Sequence, residues 1–218
     1  MEAGLDVARL NFSHGTHEQH KNNIDLIRTI AKKVGRNVAI LQDLQGPKIR
    51  VARFVTGSVE LTEGQTFVLD AKLNADLGNQ HMVGIDYTDL PNDVHPGDTL
   101  LLDDGRISLS VERIEKAKIH CTVLNSATLS NHKGINRQGG GLNAKALTDK
   151  DKQDLKKAVE INADYIAISF PRDANDIHEA RALMQQHQGN AGIIAKIERA
   201  EAIHCIEEII TAADGVMV

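Results

Sequence analysis

Aromatic residues are scarce in this sequence of 218 residues: they make up 3%, and tryptophan is absent. Aliphatic side chains must therefore fill the core, and an apolar fraction of 41% is enough for one or two domains. Long apolar runs are also absent, since none approaches the roughly 20 residues of a membrane span. The first residues lack the basic and apolar regions of a signal peptide. The composition therefore predicts an ordinary globular protein with no membrane segment.

Positive charge and cysteine are limited as well. The net charge is −5, which argues against a general nucleic-acid binder. The two cysteines, Cys121 and Cys205, lie far apart in the sequence. We expect two reduced thiols in a cytoplasmic protein, with a single disulfide as the alternative.

Two stretches, residues 1–46 and 146–218, alternate between apolar strands and amphipathic helices. Thr16-His17-Glu18-Gln19 has the form of a capping box, in which the Thr and Gln side chains satisfy free backbone N–H groups. Thr148-x-x-Asp151 begins a later helix in the same way. The last helix carries Ile203, Ile206 and Ile210 at helical spacing. Apolar strands joined by helical crossovers are typical of a parallel sheet covered on both faces.

Residues 47–145 have a different character, because turn residues recur and no long helical period appears. Short strands are expected at residues 100–102 and 107–111, and Asp104-Gly105 between them is a strong hairpin signal. Residues 133–141 are rich in glycine and are expected to form a flexible return hinge. The stretch therefore predicts a small all-β domain inserted into the α/β domain.

The pattern gives five strands and four crossovers in the α/β stretches, whereas a complete (β/α)8 barrel needs eight strands. The sequence also stops inside an apolar strand, and residues 1–4 resemble a helix end. We therefore expect a fragment of a larger fold: a partial (β/α)8 TIM barrel with an inserted all-β barrel domain. A complete doubly wound open sheet of five strands is the alternative.

Polar side chains with a common direction occur on the first strand. Arg9, Asn11 and Ser13 alternate along it and so share a face, which in a barrel points toward the axis and the C-terminal mouth. A guanidinium group suits phosphate, and Asn and Ser supply oxygen ligands or hydrogen bonds. The alternative is a solvated strand end on which Ser13 caps the helix and His14 makes the turn.

Further charged residues leave the second strand. Asp43 is expected at the mouth of the barrel, where catalysis occurs in such folds. Lys48 and Arg50 follow it and are expected to meet phosphates or to pair with Asp43. Gly46-Pro47 forms a turn that also suits a crossing between domains.

Lys196 and Glu198 are the most informative pair. They end a short apolar run that indicates a buried strand, and their alternation places both side chains on the same side. A buried ammonium or carboxylate is costly, so such groups are usually paired, metal-bound or catalytic. A cation beside a carboxylate at a strand's C-terminal end suits a phosphate together with a metal ion.

These segments together resemble the pyruvate kinase family across essentially the whole chain. The matching motifs, in order, are Val7-Ala8-Arg9-Leu10-Asn11-Phe12-Ser13-His14-Gly15, Asp43-Leu44-Gln45-Gly46-Pro47-Lys48-Ile49-Arg50, Leu102-Asp103-Asp104-Gly105, Lys133-Gly134-Ile135-Asn136, Ser169-Phe170 and Ala195-Lys196-Ile197-Glu198. The resemblance implies a (β/α)8 barrel with a β-barrel lid and a C-terminal regulatory domain. It also implies transfer of the phosphoryl group of phosphoenolpyruvate to ADP, which gives pyruvate and ATP in the last step of glycolysis.

The resemblance implies roles for individual residues. Lys196 and Arg9 would be catalytic: Lys196 stabilises charge on the transferring phosphoryl group and the enolate oxygen, and Arg9 grips the phosphate. Glu198 would bind Mg²⁺ or Mn²⁺. The substrate- and nucleotide-binding positions implied are Arg9, Asn11, Ser13, His14, Arg50 and Lys196, with Arg50 on the nucleotide phosphates.

One departure from the family pattern concerns its monovalent-cation site, which Asn11, Ser13 and Asp43 match. Leu44 stands where potassium-dependent members have Thr, and Lys48 stands where they have Glu. A fixed ammonium at Lys48 would replace the potassium ion electrostatically. The resemblance therefore implies an enzyme that needs no added K⁺.

A second departure concerns the family's other metal carboxylate, which follows the strand in which this sequence ends. The isolated 218-residue chain is therefore expected to have little or no activity. Full-length members are cytoplasmic and usually homotetrameric. A non-catalytic phosphate- or nucleotide-binding module is the alternative, and the large β insertion argues against other metal-dependent phosphoenolpyruvate or pyruvate barrels.

Overall fold

The structure is a computed structural model that describes residue 1 and residues 3–218. Glu2, part of the segment expected to resemble a helix end, lies outside the described residues. The strands in the described part are β1 (Val7–Asn11), β2 (Ala39–Asp43), β3 (Ser58–Leu61), β4 (Thr66–Asp70), β5 (Met82–Gly84), β6 (Thr99–Leu102), β7 (Ile107–Glu115), β8 (Lys118–Val123), β9 (Ala127–Ser130), β10 (Ile135–Arg137), β11 (Tyr165–Ile168), β12 (Gly192–Lys196) and β13 (Gly215–Met217). The helices are α1 (His17–Lys33), α2 (Leu90–Asp93), α3 (Asp149–Glu160), α4 (Ala174–Gln186), α5 (Ala200–His204) and α6 (Ile206–Ala212). Across these described residues, no helix combines the length and the apolar character that crossing a membrane requires.

The chain forms two compact units, residues 1–47 with 144–218 and residues 48–143. The first unit contains one parallel sheet with the order β1-β2-β11-β12-β13. Each strand therefore lies beside the strand that precedes it in this unit. A doubly wound sheet reverses its strand order at a switch point, so this sequential order excludes that alternative and gives a partial (β/α)8 barrel.

The hydrophobic core of the first unit lies on one side of this sheet. Ala8 and Phe12 from the first strand segment, Ile166 from β11 and Ile193 from β12 belong to the core cluster, together with residues of the helices. Right-handed crossovers between sequentially ordered parallel strands all lie on the same face. The helices of this unit therefore lie on one face of the sheet, and the polar side chains at the C-terminal strand ends lie on the opposite face.

Both predicted capping boxes are confirmed. Thr16 Oγ1 accepts the Gln19 N–H at 3.2 Å, and Gln19 Oε1 accepts the Thr16 N–H at 2.8 Å. Thr148 and Asp151 make the same reciprocal pair at the start of α3. Since Thr16 is the N-cap of α1, the alternative in which Ser13 caps this helix is wrong.

The last predicted helix differs from the structure in its buried face. The segment forms two short helices, α5 and α6, which meet at Cys205. Ile203 and Ile210 are 59% and 52% exposed, whereas Ala202 and Ile209 are fully buried. Both sets of residues have helical spacing, so the sequence pattern alone could not choose between the two overlapping apolar stripes.

A repeated contact ties together the N-terminal ends of the strands in the first unit. Asp164, just before β11, accepts the Ile40 N–H of β2 at 2.7 Å and pairs with Arg28 at 3.2 Å. Asp214, just before β13, accepts the Ile193 N–H of β12 at 2.7 Å and pairs with an arginine of α4 at 3.0 Å. We call these two contacts the aspartate clamps.

The second unit is built almost entirely from strands. Its sheets have the orders β10-β6-β7-β8-β4-β5 and β3-β9, and its one named helix in the described residues is the single turn α2. The predicted hairpin is confirmed, because Asp103, Asp104 and Gly105 all have positive φ between β6 and β7. The predicted flexible hinge was partly wrong: buried Ile135 pairs with Leu102, so residues 135–137 form a strand.

Candidate active site

Parallel strands bring several of the predicted site residues together at the C-terminal end of the sheet. The register pairs Asn11 of β1 with Asp43 of β2, and Asp43 with Ala167 of β11. Lys196 is the last residue of β12, the next strand in the sheet. Side chains at these strand ends that point away from the helices therefore converge on one place.

Asp43 is the centre of the resulting network, and its side chain is only 1% exposed. Its Oδ2 atom accepts from Arg9 Nε at 2.8 Å and Nη2 at 2.5 Å. Its Oδ1 atom lies 3.2 Å from Lys196 Nζ. A buried carboxylate is tolerable when paired and hydrogen-bonded, and here one carboxylate holds two cations from two other strands.

Lys196 has an oxygen partner for each of its ammonium hydrogens. Its Nζ atom lies 3.2 Å from Asp43 Oδ1, 3.2 Å from Glu198 Oε1 and 2.9 Å from Ser169 Oγ. The side chain of Lys196 is 11% exposed and that of Glu198 is 32% exposed. The ammonium is therefore held inside the site, while Glu198 lies at its edge, and the expected common side of Lys196 and Glu198 is observed.

Ser169 was quoted in the sequence motif but was given no role there. It directly follows β11, and its Oγ atom donates to the Leu44 carbonyl at 2.6 Å. Its position at the end of a buried strand, beside the strands that carry Asp43 and Lys196, is a signal that aligning the strand ends would have revealed. We define the charged network as Arg9, Asp43, Ser169, Lys196 and Glu198.

The loop after β1 carries the other predicted residues of this unit. Asn11 Oδ1 accepts the Ser13 N–H at 2.8 Å, which closes a local turn. The exposed His14 contributes its carbonyl oxygen to a 2.8 Å hydrogen bond with His20 Nε2. Lys150 Nζ donates to the Phe12 carbonyl at 2.9 Å. Side chains of helices α1 and α3 therefore hold the backbone of this loop through its carbonyl oxygens.

Comparison with known families agrees with this geometry. The family model described as pyruvate kinase, barrel domain, matches residues 1–218. This chain belongs to the pyruvate kinase family. It is 52% identical over 219 residues to pyruvate kinase II of Salmonella typhimurium and 51% identical over 219 residues to the pyruvate kinase of Haemophilus influenzae. In both matches 99% of this chain covers 46% of the relative.

A less similar member of the pyruvate kinase family also matches the whole chain. The pyruvate kinase of Geobacillus stearothermophilus is 45% identical over 221 residues, which is all of this chain and 37% of the relative. The chain therefore spans less than half the length of the curated relatives it matches. The family resemblance expected from the sequence motifs is confirmed.

The remaining cationic positions of the pyruvate kinase pattern, Lys48 and Arg50, belong to the second unit. Arg50 Nη1 donates to the His132 carbonyl at 2.9 Å, and the Arg50 N–H donates to Asp86 Oδ1 at 2.7 Å. Burial raises the pKa of Asp86, and the hydrogen bond and charge of Arg50 oppose that rise. The guanidinium of Arg50 is thus anchored within its own unit.

The described residues hold no group of three or more His, Cys, Asp or Glu side chains that could bind a metal ion. Of the two carboxylates in the charged network, that of Glu198 is the more exposed to solvent. Mg²⁺ is usually bound by one or two carboxylates together with substrate oxygens and water. The partly exposed carboxylate of Glu198 fits such a site, whereas Asp43 is buried and occupied by cations.

Proposed function

We propose that the complete gene product is a pyruvate kinase, which transfers the phosphoryl group of phosphoenolpyruvate to ADP and releases pyruvate and ATP. The observation that carries this proposal is the charged network at the C-terminal end of a barrel-type sheet, in a chain of this family. Phosphoryl transfer depends mainly on positioning and on stabilisation of charge. Two fixed cations beside a carboxylate are the parts that such a reaction requires.

Arg9 and Lys196 have complementary tasks in this proposal. The half-exposed guanidinium of Arg9 binds the phosphoryl oxygens as a planar fork. The bond between the enol oxygen and phosphorus breaks, and a bond from phosphorus to a β-phosphate oxygen of ADP forms. The ammonium of Lys196 stabilises the transferring group and the enolate left behind, which then gains a proton to become pyruvate. Asp43 holds both cations in place.

Glu198 would hold Mg²⁺ or Mn²⁺ in this site, with the carboxylate and enolate oxygens of the substrate as further ligands. The ion would act as a Lewis acid toward these oxygens when bound. Arg50 would position the phosphates of the nucleotide, and its anchoring by the His132 carbonyl supports a fixed orientation. A cytoplasmic location fits the two free cysteines, and a homotetramer is the assembly that the family resemblance implies.

We also propose that the enzyme needs no added K⁺. Asp43, one of the expected cation ligands, already accepts a hydrogen bond from Arg9 and forms an ion pair with Lys196. A third cation at this carboxylate would face repulsion from both. Lys48 stays the candidate for the fixed charge that replaces potassium. Turnover in a buffer whose cation is tetramethylammonium should equal turnover in KCl, and a loss of tenfold or more in the absence of K⁺ would contradict the proposal.

The central test is pyruvate formation from phosphoenolpyruvate and ADP by the complete gene product and its Lys196→Met variant. Removal of one preorganised electrostatic group typically costs about 10²–10³ in kcat, and we expect at least that loss. Lys157→Met is the matched control, because Lys157 forms an exposed pair with Glu160 in α3. Substrate binding without turnover by the unmodified protein would instead indicate a non-catalytic binding module.

A further inference from the structure

Ser169 is the one uncharged member of the charged network, and it is 1% exposed. Its Oγ atom lies 2.6 Å from the Leu44 carbonyl, 2.9 Å from Lys196 Nζ and 3.4 Å from Asp43 Oδ1. A hydroxyl has one hydrogen to donate and two lone pairs that accept. The short distance assigns that hydrogen to Leu44, so Ser169 meets Lys196 as an acceptor.

The backbone around Ser169 is held tightly. Gly46 has φ +68, and a Cβ atom there would lie 2.7 Å from Ser169 Cβ and 2.9 Å from the Ser169 carbonyl oxygen. Phe170 also has positive φ, at 58°, which is costly for a residue with a large side chain. Gly46 and Phe170, which both have positive φ, therefore lie next to Ser169. A side chain at position 46 would clash with Ser169, so the close contact between the two residues requires glycine there.

We propose that Ser169 is a positioning residue for Lys196. Its hydroxyl, fixed on the Leu44 carbonyl, accepts one ammonium hydrogen and holds Nζ between the carboxylates of Asp43 and Glu198. Without this third acceptor, the flexible lysine would be free to move toward either carboxylate, each 3.2 Å away. The inference rests on the proposed function, because Ser169 would hold the Lys196 ammonium where charge develops on the transferring phosphoryl group and the enolate.

The expected kinetic signature separates positioning from substrate binding. A displacement of about 1 Å in a catalytic group can cost on the order of 10²-fold in rate. Ser169→Ala should therefore lower kcat by about 10- to 100-fold. The KM for phosphoenolpyruvate should change by less than about threefold, because Arg9 still binds the phosphate.

A double-mutant cycle with Lys196→Met tests whether Ser169 acts through Lys196. Once the lysine is gone, Ser169→Ala should change kcat by less than about twofold. Urea unfolding of the same four proteins provides a second readout that needs no activity: the two substitutions should be non-additive there as well. Independent effects in both readouts would overturn the proposal, as would a Ser169→Ala variant with unchanged kcat.

Gly46→Ala is the second variant, and it keeps the proposal testable if Ser169→Ala does not fold. The added Cβ atom would displace Ser169, so this variant should reproduce the loss of kcat. Gly35→Ala is its matched control, because Gly35 has a similar φ of +66 with no atom within 4 Å of the added Cβ. Equal kcat in both glycine variants would count against the proposal. If the unmodified gene product lacks activity, the proposed function fails. The double-mutant cycle measured by urea unfolding still tests whether Ser169 and Lys196 interact.

Discussion

Replacing Asp43 by asparagine is the most informative single perturbation of this molecule. The carboxylate is buried, accepts hydrogen bonds from Arg9 through one oxygen and forms an ion pair with Lys196 through the other. An asparagine side chain has a similar shape, but it offers one acceptor oxygen and one NH₂ donor. Whichever way the amide turns, it presents a donor to one of the two cations.

The expected loss of stability can be estimated contact by contact. Removing one partner of a buried ion pair costs about 3–5 kcal/mol, and the lower figure applies to Lys196 because its ammonium keeps two other oxygen partners. The Arg9 side chain is 52% exposed, so solvent screening reduces its share to about 1 kcal/mol or less. We therefore expect Asp43→Asn to lower the free energy of unfolding by about 3–4 kcal/mol, a large part of a typical domain's stability.

Urea unfolding followed by far-UV circular dichroism is the suitable assay, because the sequence contains no tryptophan. Asp25→Asn is the matched control, since Asp25 forms an exposed i,i+4 pair with Lys21 and should cost less than about 0.5 kcal/mol. The reasoning fails if Asp43→Asn costs no more than this control. A stabilised Asp43→Asn variant would show that the two cations do not depend on the carboxylate.

Three further predictions follow from other parts of the structure. The pKa of Asp214 is lowered chiefly by the hydrogen bond from the Ile193 N–H, so its stabilising effect is present above the unfolded-state pKa and is lost as pH falls through the folded value. Asp214→Asn should cost about 1 kcal/mol at pH 7 and progressively less as acid unfolding is followed below about pH 4, and a pH-independent difference would contradict this. Burial raises the pKa of Cys121 to about 12, so iodoacetamide at about pH 8 should alkylate the partly exposed Cys205 and spare Cys121, as checked by peptide mass. The isolated 218-residue polypeptide should scatter light and turn over far more slowly than a full-length member of the pyruvate kinase family, because β1 and β13 are unpaired sheet edges in the described residues; a monodisperse and fully active polypeptide would refute this.

Local signals in the sequence predicted most of the elements of the first unit. The capping boxes at Thr16 and Thr148 each place a polar side chain beside a free backbone N–H, and both are formed. Alternation along a strand placed Arg9 away from the helices. These features depend on residues within a few positions of one another, and so the sequence alone determines them.

Features that depend on contacts between distant residues were not predictable in the same way. Barrels and doubly wound sheets share the same alternation of strands and helices, so the strand order needed the three-dimensional structure. The pairing of β10 with β6 joins segments more than 30 residues apart. Ser169 carries no charge, and its contacts with Leu44 and Lys196, which lie far away in the sequence, define its role in the site.

The two ends of the parallel sheet use carboxylates for different purposes. In the aspartate clamps, Asp164 and Asp214 accept backbone N–H groups of neighbouring strands, and those hydrogen bonds persist as long as the sheet is formed. Asp43 instead pairs with two side-chain cations, one of which is half-exposed. Side-chain contacts can be exchanged for contacts with a substrate phosphate, whereas the backbone contacts of the clamps cannot. Substitutions in the clamps should therefore lower stability and leave turnover per folded molecule unchanged, while substitutions of Asp43 should lower both, in keeping with barrel enzymes, which carry catalysis at the C-terminal face.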